Sequence, residues 1–206
     1  MASTAAPYGF RAVNELGGLP YAGSTRQFLI NPAGYNTNIF NGSIVAVNTS
    51  GYLEIVTTIG GASSDAFPAG VVGVFVGCEY VNAQGQLIFS QYYPANTVAP
   101  TGSAIKAYVI DDDRVVFQVQ ADGSVGQTSL GQNVQLAAAQ SSSTGSTTTG
   151  NSTTAVSASA AATASYPFRI VGFVESTTSS VGDAKTDLLV KFNAGIHSYS
   201  NATGLA

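Results

Sequence analysis

Residues 114–120 read Arg-Val-Val-Phe-Gln-Val-Gln (RVVFQVQ), and their alternation decides the fold class. Val115, Phe117 and Val119 fall on one face of an extended chain, with Gln118 and Gln120 on the other. Strand side chains alternate with a period of two, so one face belongs in a core and the other outside it. The pattern recurs in AIKAYVI (104–110), where Ile105, Ala107 and Val109 oppose Lys106 and Tyr108. It recurs again in DLLVKF (187–192), where Leu188, Val190 and Phe192 oppose Asp187 and Lys191. YLEIVTT (52–58) and GQLIFSQYY (85–93) are weaker versions. GVVGVFVGCEYV (70–81) and FRIVGFVES (168–176) are apolar on both faces, which predicts central strands covered on each side.

Working outward, turn residues punctuate these runs. Asn48–Gly51 separates SIVAV from YLEIV and reads as a hairpin. Asp111-Asp112-Asp113 separates 104–110 from 114–120 and reads as another, since Asp tolerates left-handed backbone and bonds its own main chain. The one helix candidate is LGQNVQLAAAQ (130–140). Residues 137–166 are low-complexity Ser, Thr, Ala and Gly, with few large side chains to offset the entropy of ordering them, which predicts a mobile loop. VVGVFVGCE (71–79) and RIVGFVEST (169–177) share an apolar-apolar-Gly-apolar-apolar core, consistent with either duplication or similar burial. Residues 1–26 carry aromatic anchors without sustained periodicity and read as an extended N-terminal arm. The expected organisation is therefore an all-β antiparallel sandwich or barrel over 27–206, with that arm in front and a long Ser/Thr-rich loop inserted.

A chain of 206 residues is long enough to bury roughly 70% of its unfolded surface. Its charged fraction is 9%, against about 25% in typical soluble domains, so its surface relies on neutral polar groups that are cheaper to desolvate than ions. That composition suits a chain that lies against neighbours. Seven basic residues, scattered between Arg11 and Lys191 in a chain of net charge −4, argue against nucleic acid as a partner. No window approaches the 18 apolar residues of a membrane span, so no membrane partner is expected. The opening MASTAAPYGFRAVNEL lacks the basic and apolar segments of a signal peptide, and synthesis in a cytoplasm is expected.

Little points to catalysis. His197 is the only histidine and Cys78 the only cysteine. Cys78, in an apolar run, reads as a small buried residue, and His197 as a surface or interface group. One of each cannot supply a Cys/His zinc site. Glu54 and Glu79 lie on candidate strands, but their flanks do not suggest a glycosidase pair. Asp111–Asp113 with Asp122 would suit calcium, although a tight turn explains the triplet by itself. The glycines at 70, 73 and 77 precede no helix and form no phosphate loop. Asn-X-Ser/Thr sequences at Asn41, Asn48, Asn151 and Asn201 are expected by chance in so Asn-, Ser- and Thr-rich a chain. No cofactor, metal or catalytic residue is expected, and the chain reads as a non-enzyme.

Six segments are informative when read together: APYGFRAVNELGGLPYAGSTRQFLI (6–30), NIFNGSIVAVNTSGYLEIV (38–56), AGVVGVFVGCEY (69–80), AYVIDDDRVVFQVQAD (107–122), FRIVGFVES (168–176) and DLLVKFNAGIHSY (187–199). Together they resemble a family of head structural proteins of tailed bacteriophages, the capsid-decorating or cement proteins. The Ser/Thr/Ala-rich stretch 137–166 departs from the family pattern. The resemblance implies a protein on the outer capsid surface of a virion that bridges major capsid protein subunits. It also implies a homo-oligomer, a trimer being one form. Tyr8, Phe10, Arg11 and Tyr21 are the candidate capsid-binding residues, to be weighed against packing on their own domain. The alternatives are another virion part (a tail or head fibre) and a bacterial cell-surface or adhesin module.

Overall fold

The computed structural model describes residues 4–61 and 63–205. Its strands are β1 (Arg11–Glu15), β2 (Arg26–Ile30), β3 (Ile44–Val47), β4 (Leu53–Ile55), β5 (Val71–Val81), β6 (Leu87–Ser90), β7 (Ile105–Ile110), β8 (Val115–Gln120), β9 (Asn133–Val134), β10 (Phe168–Phe173) and β11 (Asp187–Phe192). They form two antiparallel sheets. The first runs β1-β8-β11-β10-β9 and the second β2-β7-β5-β3-β4, with β6 also paired to β5. The fold is an all-β sandwich.

Alternation in β8 does what its sequence demands: Val115, Phe117 and Val119 enter the core between the sheets. From β11 come Leu188, Val190 and Phe192, and from the second sheet Ile44, Val71, Val74 and Ile110. Aromatic rings centre this core. Phe168 lies 4.7 Å from Phe10 and 5.3 Å from Phe192, centroid to centroid. The second sheet has another core on its far face, built from Val45, Leu53, Ile55, Val72, Phe75, Cys78, Ala107 and Val109, which the loop residues Ile39 and Tyr93 close over. Its edge strands β2 and β4 approach each other, so it curls around that core.

β5 reads as apolar on both faces because it is buried on both faces, and because it is bulged twice. Against β3, Val45 faces Gly73 and Ala46 faces Val71, leaving Val72 extra; against β7, Phe75 faces Val109 and Gly77 faces Tyr108, leaving Val76 extra. Each extra residue reverses the alternation. Gly73 has φ of 140°, and a Cβ there would overlap the Ile110 carbonyl oxygen. The echo in β10 has the same local device, a register shift between Ile170 and Gly172.

Four expectations need correction. Asp111–Asp113 does not close a hairpin: β7 lies in the second sheet and β8 in the first. The chain turns a corner there because Ile110 and Val115 must both enter the shared core. The 130–140 stretch is not helical. Gly131 donates to Ile170 O, Leu136 to Ile59 O and Ala137 to Ala155 O, so tertiary partners take the amides that a helix would use. Residues 1–26 are not wholly an extended arm, since residues 11–15 are the edge strand β1, paired to β8.

The fourth correction is the largest. Residues 137–166 are built into the sandwich. Val156 is fully buried and bridges both Ala121 and Leu136, Asn151 bridges Asn41, and Ala161 bridges Asn133. Small side chains let this backbone approach closely: Gly145 lies flat against the Phe40 ring, where a Cβ would overlap it. Gln140, also buried, offers its side-chain amide as a substitute peptide group. Its Oε1 accepts from Ile44 N at 3.0 Å, and its Nε2 donates to Ile44 O and Val56 O at 3.0 and 2.9 Å. Low complexity here records tight packing; the hydrogen bonds that hold it are invisible to an accounting of large apolar side chains.

Candidate functional site

The four residues singled out from the sequence fall in three environments. Phe10 is 1% exposed, its ring locked among Phe117 and Phe168, so it is a core residue and offers no ring to a partner. Tyr8 and Arg11 come together: the guanidinium carbon lies 4.6 Å above the Tyr8 ring, and the Tyr8 hydroxyl donates to Asp187 Oδ1 at 3.1 Å. Burial, then the Asp187 carboxylate, raise the Tyr8 pKa, so the phenol stays protonated. Beside them Gln120 anchors the preceding chain, accepting from Ala6 N at 2.9 Å and donating to Thr4 O at 3.2 Å. Thr4, Ala6, Tyr8, Gln120, Thr178 and Asp187 line a groove of about 300 Å³. Tyr21 lies elsewhere, half-buried, with its hydroxyl donating to Ser24 O and with Asp111 and Asp112 near enough to add to the rise that burial causes in its pKa.

Strand β1 continues the surface that begins at Arg11. It is the outer strand of its sheet, and its register against β8 shifts between Ala12 and Asn14, leaving Val13 bulged. Val13, Leu16 and Leu19 are all exposed. The chain folds back over the far end of β1, where Pro20 bridges Asn14 and Glu15 N donates to Leu19 O, so the uncovered part of this edge lies at Arg11–Val13, with Leu16 and Leu19 exposed in the turn beyond. A short open edge with apolar side chains and a guanidinium suits pairing with another protein.

A second surface was not read from the sequence. At the β6 end of the second sheet, cross-strand pairing sets Leu29, Lys106, Glu79 and Phe89 in one row over β2, β7, β5 and β6. Glu79 Oε1 lies 2.9 Å from Lys106 Nζ, and Glu79 Oε2 accepts from the Tyr108 hydroxyl at 2.8 Å. The hydrogen bond from Lys106 and then that from Tyr108 hold the Glu79 pKa below its ordinary value. The flanks are apolar and open: Phe89 is 69% exposed, Leu87 57% and Leu29 48%. The signal was there in QLIFS, whose strand is apolar at three successive positions, Leu87 to Phe89, with Val81 across from Leu87 on β5. Nothing local says which face goes uncovered.

The groups with reactive chemistry are otherwise engaged. His197 is fully buried within its own domain, which corrects its reading as a surface or interface group; its Nε2 lies 2.9 Å from Val72 O and its Nδ1 accepts from Tyr199 N at 3.3 Å. That pattern makes Nε2 the protonated nitrogen, and burial lowers the ring's pKa. Cys78 is buried beneath the loop layer, its thiol near Tyr92 O, and burial pushes its pKa up to about 12. Asp111 receives Arg26 at 3.3 Å and the Tyr199 hydroxyl at 2.8 Å, while Asp112 accepts from Arg114 N. Among the described residues no cluster of three or more His, Cys, Asp or Glu is placed to hold a metal ion. A groove of about 460 Å³ lined by Thr37, Thr57, Gln140 and Ser141–Ser143 presents hydroxyls and an amide without an ionisable group. No protein-family model, curated protein or solved structure matches the chain.

Proposed function

We propose that this chain is a structural protein of a tailed-bacteriophage head, seated on the outer surface of the shell and bridging neighbouring major capsid protein subunits. The observation that carries the reading is the β1 edge: an outer strand with exposed Val13 next to the Tyr8–Arg11 pair at its start, and exposed Leu16 and Leu19 in the turn that follows it, on a chain with only 9% charged residues. The resemblance of segments 6–30, 38–56, 69–80, 107–122, 168–176 and 187–199 to decoration proteins supplies the kind of partner. Neutral polar surface costs less to desolvate than charged surface, and a rigid two-sheet body attached at several subunits turns modest contacts into firm attachment. On this reading the chain acts without a cofactor and without turning over a substrate.

The test is co-sedimentation of purified protein with expanded heads that lack it. Saturable binding and a rise in the temperature at which heads release DNA are expected. The paired substitutions Arg11→Ala and Val13→Asp, on a body whose melting is unchanged, should weaken binding at least about tenfold. Absence of binding to any expanded head rejects the proposal.

A further inference from the structure

We propose that the open face at the β6 end of the second sheet is a self-complementary contact that takes a second copy of this chain across a two-fold axis. The row across the strands reads apolar, positive, negative, apolar: Leu29, Lys106, Glu79, Phe89. Such a row is its own complement under one operation. A two-fold axis lying in the interface, parallel to the strands and passing between Lys106 and Glu79, sets each Lys106 over the partner copy's Glu79. The same axis sets each Leu29 over the partner copy's Phe89. The other in-plane axis, across the strands, would stack Lys106 on Lys106 and Glu79 on Glu79, which like-charge repulsion disfavours. Charge order therefore selects one axis, and an isologous contact follows.

The face is ready for it. Lys106 is already held by Glu79, and Glu79 by Lys106 and Tyr108, so docking adds partners to fixed charges rather than ordering loose side chains. Four strands at a spacing of about 4.8 Å make the row roughly 14 Å wide, at the small end for a specific interface. The dimer is accordingly weak and reversible in free solution, and fills when copies are crowded together. This deepens the assembly reading above and rests on it for that crowding, although the contact itself is measured without heads.

Sedimentation velocity over roughly 1–500 µM protein tests it. The wild type should shift from monomer to dimer with rising concentration, and Phe89→Ser should remain monomeric. Glu79→Lys and Lys106→Glu, each alone, set like charges over one another and should weaken association at least about tenfold. Mixing these two variants one to one should restore a dimer, because every Lys then faces a Glu of the other variant. Wild type that stays monomeric throughout overturns the proposal, as does a mixture no more associated than its components. If Phe89→Ser lost head binding while the wild type stayed monomeric, the face would belong to the shell protein, and this inference would fail while the proposed function stood.

Discussion

The Nε2 of His197 lies 2.9 Å from the carbonyl oxygen of Val72, the residue that bulges out of register between β3 and β5. Its neighbour Ser198 donates its backbone N–H to Val71 O at 2.7 Å. A bulge takes carbonyls out of the ladder, and here the C-terminal segment satisfies them both. Phe192 and Tyr199 pack against the imidazole edge-on.

Replacing His197 with Ala strands the Val72 carbonyl and opens a cavity beside Phe192. A loss of about 2–4 kcal/mol in urea unfolding is expected, with the denaturant slope unchanged. A loss under about 0.5 kcal/mol would show that the C-terminal segment does not brace the bulge.

Stability should also depend on pH through this ring. Burial lowers its folded pKa, so the unfolded chain binds the proton first, and the stabilisation is present above the unfolded value of about 6.5 and lost as pH falls below it. The urea midpoint should therefore drop between about pH 7.5 and 5. Since this is the only histidine, His197→Asn should flatten that slope. A slope identical in both proteins would assign it to other groups.

Gln140→Glu keeps the shape of the side chain but replaces the donor to Ile44 O and Val56 O with a carboxylate. Both Gln140→Glu and Gln140→Ala should cost about 2–4 kcal/mol. Limited proteolysis should then cut within 137–166, which stays intact in the wild type. Ready cleavage of the native wild type in that stretch would contradict its place in the sandwich.

Gly73→Ala should cost about 3–5 kcal/mol, because a Cβ there overlaps the Ile110 carbonyl oxygen and φ is 140°. Gly126, with open space around it and φ of −88°, is the control: its Ala variant should differ by less than about 0.5 kcal/mol in thermal or urea unfolding. Equal effects at the two sites would remove the bulge as the reason for this glycine.

Cys78 should resist thiol reagents at neutral pH in the native state, since burial both blocks access and pushes its pKa up to about 12. Labelling should follow the rate of unfolding in denaturant. Fast labelling of native protein would mean that the loop layer over the second core opens readily.

The sandwich was legible wherever burial is one-sided. Val115, Phe117 and Val119, or Leu188, Val190 and Phe192, alternate because one face meets the core. The Asn48–Gly51 hairpin was legible as well, its Asn48 Oδ1 accepting from Ser50 N and Tyr52 N. Asp111–Asp113 misled because a turn residue marks a change of direction without saying into which sheet the chain turns. Residues 137–166 misled for a deeper reason: Gln140 and Val156 are held by main-chain bonds to segments far off in sequence. Of the four candidate residues, Tyr8 and Arg11 lie together beside the β1 edge while Phe10 is in the core, and the sequence does not separate them, because an aromatic next to an edge strand looks the same whether it points in or out. Leu29, Glu79, Lys106 and Phe89 come from four strands, and only the pairing register brings them into one row.

The bond between His197 and Val72 spans 125 positions of chain. At a translation speed of about 5–20 residues per second, Val72 leaves the ribosome roughly 6 to 25 seconds before its brace is synthesised. The nascent second sheet must wait through that interval with its bulge carbonyls bonded only to water, and with little charge to keep it apart from other unfinished copies. The vulnerable moment for this protein is therefore its birth: warming or crowding a cell during synthesis should diminish its yield far more than the same treatment applied to finished molecules.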